Sequence, residues 1–215
     1  MTEEQQTGND DHLGRIKLRI LGAVGLLIPF LASIPPLAAW GGLMTIPFIF
    51  YILLMIGNIG NTSIYLYDIP NVTAFLIPLV LLIYCIVYLW RRRDTGLVTG
   101  GPYHFVRHPQ YCSLIVFTGV VTYQSVWILR HTFGIGWLSA DQTIILWIVM
   151  LLTYSVIASI EEIHLQKVYG LEWIEYRNKV GFLIPLVRFQ SRIIETLVCL
   201  AIPLAVLYSV LYLIA

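Results

Sequence analysis

The chain has 215 residues, of which 58% are hydrophobic and only 12% charged, about half the charged fraction of a soluble domain. Residues 20–90 contain a single charged side chain, Asp68, and such a stretch cannot cover a water-exposed surface. A net charge of +1 without a basic stripe argues against nucleic-acid binding. The three cysteines lack the spacing of a zinc site or a disulfide framework, so we expect no metal.

The apolar segments predict an all-α fold, a polytopic transmembrane helix bundle with five or six spans. A span needs roughly 20 apolar residues, and Pro35-Pro36 is expected to bend or end the first one. In chain order, the predicted spans are residues 18–40, 43–59, 72–90, 111–129, 143–160 and 193–213.

The hydrophilic residues are concentrated in two blocks, 91–110 and 161–192, which hold nine of the 13 Lys and Arg residues. Because two predicted spans separate the blocks, both emerge on the same side of the bilayer. The positive-inside rule predicts that this side is cytoplasmic. We therefore expect a multi-pass integral membrane protein whose polar site faces the cytoplasm.

The first block predicts a structured loop that leads into a membrane helix. Gly100-Gly101-Pro102 is a turn signal, and Pro109 suits the first turn of the following helix. The positive end of such a helix attracts carboxylates and other anions. The loop is expected to bring four side chains to this end: Tyr103, Arg107, His108 and Tyr111.

The second block begins with two adjacent acids, Glu161 and Glu162. Because acids so close to hydrocarbon are costly, they indicate function. Neighbouring residues on a helix point about 100° apart, so we expect at most one of the two to face a given pocket. Gly170 fits a helix C-terminus. An amphipathic helix follows, whose stripe of Tyr169, Trp173, Tyr176 and Val180 predicts anchoring in the headgroup region.

These motifs resemble a known family of integral membrane enzymes. They are LVTGGPY at 97–103, RHPQY at 107–111, EE at 161–162, YG at 169–170 and EWIEY at 172–176. In this order, and separated by a two-span hairpin, they resemble the isoprenylcysteine carboxyl methyltransferase and phospholipid methyltransferase superfamily. The resemblance covers residues 91–185 and divides the chain into N-terminal spans (1–90), a methyltransferase core (91–192) and a C-terminal helix (193–215).

The resemblance implies an S-adenosylmethionine-dependent methyltransferase that acts on a lipid or lipid-modified, prenylcysteine-like substrate within the bilayer. Glu161 is expected to accept from the ammonium of the cofactor, and helix amides to bind its carboxylate. By position in the motifs, the cofactor-binding residues are Leu97, Val98, Tyr103, His108, Pro109, Tyr111 and Glu161.

Sulfonium is a good leaving group, so catalysis is expected to consist mostly of alignment in a dry pocket. An amine acceptor must lose a proton, for which Glu162 or His108 is a candidate base, whereas a carboxylate acceptor needs a cation such as Arg107. The catalytic candidates are therefore Glu162 and Arg107. The chain has Ile157 where prenylcysteine methyltransferases typically carry an arginine, which weakens the prenylcysteine assignment and favours a lipid with a different acceptor group. It also has Phe182 where a basic residue is common in the family.

Two other functions are open at this point. A nicotinamide-dependent reductase of membrane lipids, of the sterol type, shares some of the Arg/His-Pro-x-Tyr pattern but needs more polar surface for a dinucleotide. A transporter would bury ionisable groups near the middle of the membrane, and the predicted spans have no formal charge near their centres.

Overall fold

The computed structural model describes residues 36–62, 69–92, 95–131 and 137–214, and these form an all-α fold, as predicted. A short 3₁₀ turn, Gly101–His104, precedes the third helix. The α-helices, numbered here in chain order, are α1 (Pro36–Thr62), α2 (Ile69–Arg92), α3 (Pro109–His131), α4 (Ala140–Tyr169), α5 (Leu171–Lys179) and α6 (Arg192–Ile214).

Four helices in the described part of the chain are long and apolar enough to cross a membrane. They correspond to the last four predicted spans and fit a multi-pass membrane protein. The segments are Val72–Arg92, Pro109–His131, Ala140–Tyr169 and Arg192–Leu213.

Helix α1 differs from the prediction at its start. It begins at Pro36, so residues 36–40 belong to the second apolar segment and not to the end of the first. A proline suits the first turn of a helix because its missing N–H has no partner there anyway. The remainder of the first predicted span lies outside the described residues. By its internal contacts the chain divides into residues 1–43 and 44–215, and all that follows concerns the second unit.

The α3–α4 hairpin forms the centre of this unit. In the most apolar 18-residue window of each helix, 61% of the window is buried in α3 but only 11% in α6. Ser139 caps the start of α4 in a reciprocal arrangement, in which its hydroxyl accepts from the Gln142 amide and its own amide donates to the Gln142 side chain. At the other end, Gly170 terminates α4 with φ +54, a conformation that favours glycine, as predicted.

A neutral polar belt joins α1 to the hairpin. The Tyr51 hydroxyl donates to the Thr118 carbonyl at 2.9 Å and lies 2.8 Å from the Thr122 hydroxyl. The Asn58 amide donates to the Ser125 and Thr143 hydroxyls at 3.2 and 3.3 Å. Side-chain hydrogen bonds of this kind hold helices together in lipid, where burial of apolar surface gives no driving force. The belt consists of Tyr51, Asn58, Thr118, Thr122, Ser125 and Thr143.

Helix α5 differs from the predicted headgroup anchor. Trp173, Tyr176 and Val180 are buried within the chain, where Leu97 and Leu165 pack against them. The apolar stripe therefore binds α5 to the end of α4 and to the loop before α3. The periodicity predicted the helix and its apolar face correctly, but the surface that covers this face is protein.

Candidate functional site

The loop before α3 is shaped by two glycines under an aromatic ring. Gly101 has φ +60, and a Cβ atom at this position would lie 2.7 Å from the Tyr88 ring. A Cβ at Gly100 would lie 2.9 Å from the Tyr88 hydroxyl. The positive φ favours glycine at Gly101, and the Tyr88 side chain leaves little space for a Cβ atom at either position. The close approach brings the 3₁₀ turn, and with it Tyr103, under the end of α2.

The loop then pairs with the segment that follows α5. Val106 and Gly181 form an isolated parallel bridge, in which the Arg107 amide donates to the Gly181 carbonyl at 2.9 Å. A Cβ atom on Gly181 would lie within 2.8 Å of the Val187 carbonyl oxygen, so only glycine fits this position. The bridge fixes Arg107 and His108 at the start of α3, which begins at Pro109 as predicted.

Arg107 is fully buried between two carboxylates. Its Nη1 lies 2.9 Å from Glu162 Oε1, and its Nη2 lies 2.5 Å from Glu195 Oε2. The Phe182 ring packs against the guanidinium, with its centroid 5.5 Å from Cζ, within the range of a cation–π interaction. From the sequence, Arg107 was expected to bind an anionic group of the substrate. In the structure its guanidinium contacts two carboxylates of the chain itself.

His108 is buried between the two adjacent acids. Its Nδ1 lies 3.4 Å from Glu161 Oε2 and its Nε2 lies 3.5 Å from Glu162 Oε1. The two adjacent acids therefore contact one side chain from two directions. Two carboxylates about 100° apart on α4 reach one imidazole because its two nitrogens lie on different edges of the ring.

The protonation of His108 follows from these neighbours. Burial disfavours the imidazolium, but Glu161 and Glu162 outweigh burial and raise the pKa of His108 to about 9. His108 therefore holds its proton at neutral pH, which argues against its use as a general base. It acts instead as a cation between two anions.

Aromatic side chains enclose this charged region. The His108 ring contacts Tyr111 at a centroid distance of 5.6 Å and Phe182 at 5.4 Å. The Tyr176 hydroxyl of α5 donates to the Tyr103 carbonyl at 2.6 Å. The Tyr103 hydroxyl is buried without a hydrogen-bond partner, and burial, with added effects of Cys85 and Glu161, raises its pKa. The ring wall lowers the local dielectric around the charges.

Most of the predicted site residues are brought together. Tyr103, Arg107, His108, Tyr111 and Glu162 are buried, and Glu161 is partly exposed with 18% of its side chain accessible. Pro109 is the first residue of α3. Leu97 and Val98 are half-buried in the preceding loop, where Leu97 packs against α5.

Two charged residues of the site were missed by sequence reasoning. Glu195 lies in the first turn of α6 and contacts Arg107, and Arg177 of α5 lies 3.9 Å from Glu195. The available signal was an acid two residues after the start of the span predicted at 193, where an unpaired charge would be costly. We call Arg107, His108, Arg177, Glu161, Glu162 and Glu195 the ionic cluster.

The charges of the ionic cluster balance. It contains three carboxylates and three basic side chains, and with His108 protonated the formal sum is zero. Buried charges persist only when they are paired in this way. The contacts involve the start of α3, the end of α4, helix α5 and the start of α6, so the cluster holds four helices at one end of the bundle.

A cleft opens beside the ionic cluster between α4 and α6. Its volume is about 330 Å³, and Glu162 and Glu195 form its inner wall with Phe182. The other lining residues are Ser159, Ile163, Arg192, Ile193, Thr196 and Leu197.

Comparison with known proteins gave no relatives: no family model, no curated protein and no solved structure matches this chain.

Proposed function

We propose that the chain is an integral membrane methyltransferase that uses S-adenosylmethionine to methylate a lipid or lipid-modified, prenylcysteine-like acceptor. The observation that supports this best is the position of His108 between Glu161 and Glu162. The two polar blocks, separated in sequence by the α3–α4 hairpin, meet in one enclosed site beside helices that can cross a membrane. A site so placed suits a water-soluble cofactor and a bilayer-borne acceptor.

The donors and acceptors present fit the amino-acid end of such a cofactor. An ammonium group needs a carboxylate, and the partly exposed carboxylate of Glu161 provides one. A carboxylate group needs donors, and two are available beside it. The buried Tyr103 hydroxyl has no hydrogen-bond partner, and the first amides of α3 lack intrahelical acceptors. When bound, the cofactor supplies an electrophilic methyl group on sulfur.

The remaining residues divide the other tasks between them. Arg107 positions Glu162 through the 2.9 Å contact, and Glu162 faces the cleft in which an acceptor would lie. His108 holds the two acids of α4 in fixed positions. Tyr111 and Phe182 exclude water, which strengthens the electrostatic interactions inside the site. The positive-inside rule favours the cytoplasmic face for the site.

The proposal is tested by calorimetric titration of the detergent-purified chain with S-adenosylhomocysteine. Wild type is expected to bind saturably, and Glu161→Gln is expected to weaken binding at least tenfold because a charge-assisted hydrogen bond is lost. Glu175→Gln is the matched control, since Glu175 is an exposed acid on α5. A folded wild-type protein that does not bind, or equal affinity in both variants, would contradict the proposal. Binding of reduced nicotinamide nucleotide instead would favour the reductase.

A further inference from the structure

The cleft between α4 and α6, where the proposed function places a lipid acceptor, has features that select one class of lipid head group, which the proposed function does not specify. Its outer rim carries exposed apolar side chains, Ile163, Ile193 and Leu197. Both helices are long and apolar enough to cross a membrane, and this rim lies at the end of the two spans, at the edge of the hydrocarbon. An apolar chain that enters the cleft from the side therefore leaves the bilayer without crossing water.

The two acids on the inner wall do not give the cleft a net negative charge, because basic side chains neutralise them. Glu162 is paired with Arg107 and His108, and Glu195 is paired with Arg107 and Arg177. These pairs belong to the balanced ionic cluster, whose formal charge is zero. The selectivity of the cleft for a head group must therefore come from another charged residue in its lining.

Arg192 is that residue. It is half-buried at the N-terminus of α6, and its guanidinium donates to the side-chain amide oxygen of Gln166, an uncharged partner. None of the ion pairs among the described residues includes Arg192. The N-terminal end of α6 adds a partial positive charge, and the hydroxyls of Ser159 and Thr196 lie in the same lining.

We infer that this cleft binds an anionic phospholipid from the bilayer, with the head-group phosphate on Arg192 and the start of an acyl chain between α4 and α6. A volume of about 330 Å³ holds only part of such a molecule. The rest of the lipid lies along the exposed apolar faces of the two helices. Basic pockets between membrane helices bind anionic head groups by the same chemistry.

Native mass spectrometry of the purified chain with matched phosphatidylglycerol and phosphatidylcholine tests this inference without any cofactor. Wild type is expected to retain phosphatidylglycerol about fivefold better, the effect of one Arg on an anionic lipid. Arg192→Gln abolishes the preference and Arg192→Lys keeps it. Arg91→Gln is the control and keeps it too, because Arg91 is an exposed arginine at the end of α2.

A second variant keeps the charge and fills the space: Thr196→Phe is expected to reduce retention of phosphatidylglycerol while Arg192 stays in place. Glycerol 3-phosphate tests whether a free phosphate ester is the ligand, and oleate tests whether a free fatty acid is. Neither is expected to displace the phospholipid at equal concentration. Equal retention of the two phospholipids by wild type, equal loss in Arg91→Gln and Arg192→Gln, or displacement by oleate or by glycerol 3-phosphate would overturn the inference. Since no methyl donor is present, these outcomes are independent of the proposed methyltransferase activity.

Discussion

The neutral belt and the ionic cluster both join helices through buried polar side chains, but they do so in different ways. In the belt, hydroxyl and amide groups of α1, α3 and α4 form hydrogen bonds with one another, and the Asn58 amide alone reaches three acceptors. In the cluster, charges face each other at ion-pair distances, while Arg107 Nε and the nearby Tyr103 hydroxyl lack hydrogen-bond partners. The polar groups of the belt satisfy one another, whereas the cluster leaves some of its own without hydrogen-bond partners.

The largest effect is expected from removing the central cation of the cluster. Arg107→Met leaves Glu162 and Glu195 buried without their shared partner, and we expect a loss of roughly 3–5 kcal/mol in the free energy of unfolding. The measurement is a denaturation titration in bicelles. Arg91→Met, at an exposed position, should change stability by less than about 0.5 kcal/mol. Equal losses of stability in the two variants would show that the buried ion pairs of Arg107 stabilise the fold no more than an exposed arginine does.

The next effect is a pH dependence that the belt cannot have. The pKa of His108 is raised from 6.5 to about 9 in the folded protein. Its contribution is therefore fully present below pH 6.5 and is lost as the pH rises through 9. The total loss is about 3 kcal/mol. Denaturation titrations between pH 6 and 10 measure it, and His108→Gln should flatten the profile. An identical slope in the variant would assign the effect to other groups.

A smaller effect is expected in the belt. Asn58→Leu removes an amide that donates to Ser125, Thr143 and the Leu138 carbonyl. Hydrogen bonds between membrane helices contribute about 0.6 kcal/mol each, so we expect a loss of about 1–2 kcal/mol in stability. Binding of S-adenosylhomocysteine should stay unchanged, because the belt is not part of the ligand site. If Asn58→Leu weakened S-adenosylhomocysteine binding as much as Glu161→Gln does, the prediction that the belt and the ionic cluster have different roles would be wrong.

The smallest effect is expected at the edge of the cluster. Tyr176→Phe removes the hydrogen bond from α5 to the Tyr103 carbonyl, which contributes about 1 kcal/mol. Thermal unfolding of the variant measures the loss. Tyr208→Phe, at an exposed position of α6, is the control and should leave the unfolding temperature unchanged. A larger loss in the control would contradict the role of this contact.

The sequence predicted local features well, because they depend on neighbouring residues. The start of α3 at Pro109, the turn at Gly101 and the end of α4 at Gly170 follow from the geometry of proline and glycine. The four spans found among the described residues follow from apolar segments that are long enough to cross a bilayer.

The features that the sequence did not predict depend on packing between distant segments. Glu195 joins the site only because the start of α6 lies beside Arg107. The simultaneous contact of Glu161 and Glu162 with His108 depends on how the start of α3 packs against the end of α4. The amphipathic stripe of α5 has the same pattern whether lipid or protein covers it, and here Leu97 and Leu165 pack against it.

Methyl transfer at the ionic cluster is tested most directly with radiolabelled S-adenosylmethionine. The chain is reconstituted in vesicles made from a total membrane lipid extract supplemented with a prenylated cysteine, and the organic phase is then counted. Wild type and Asn58→Leu should transfer label to the organic phase, and Glu162→Gln should lose at least about 90% of this transfer if one charge-assisted contact is removed. Absence of label with wild-type protein that binds S-adenosylhomocysteine, or undiminished transfer by Glu162→Gln, would contradict the account.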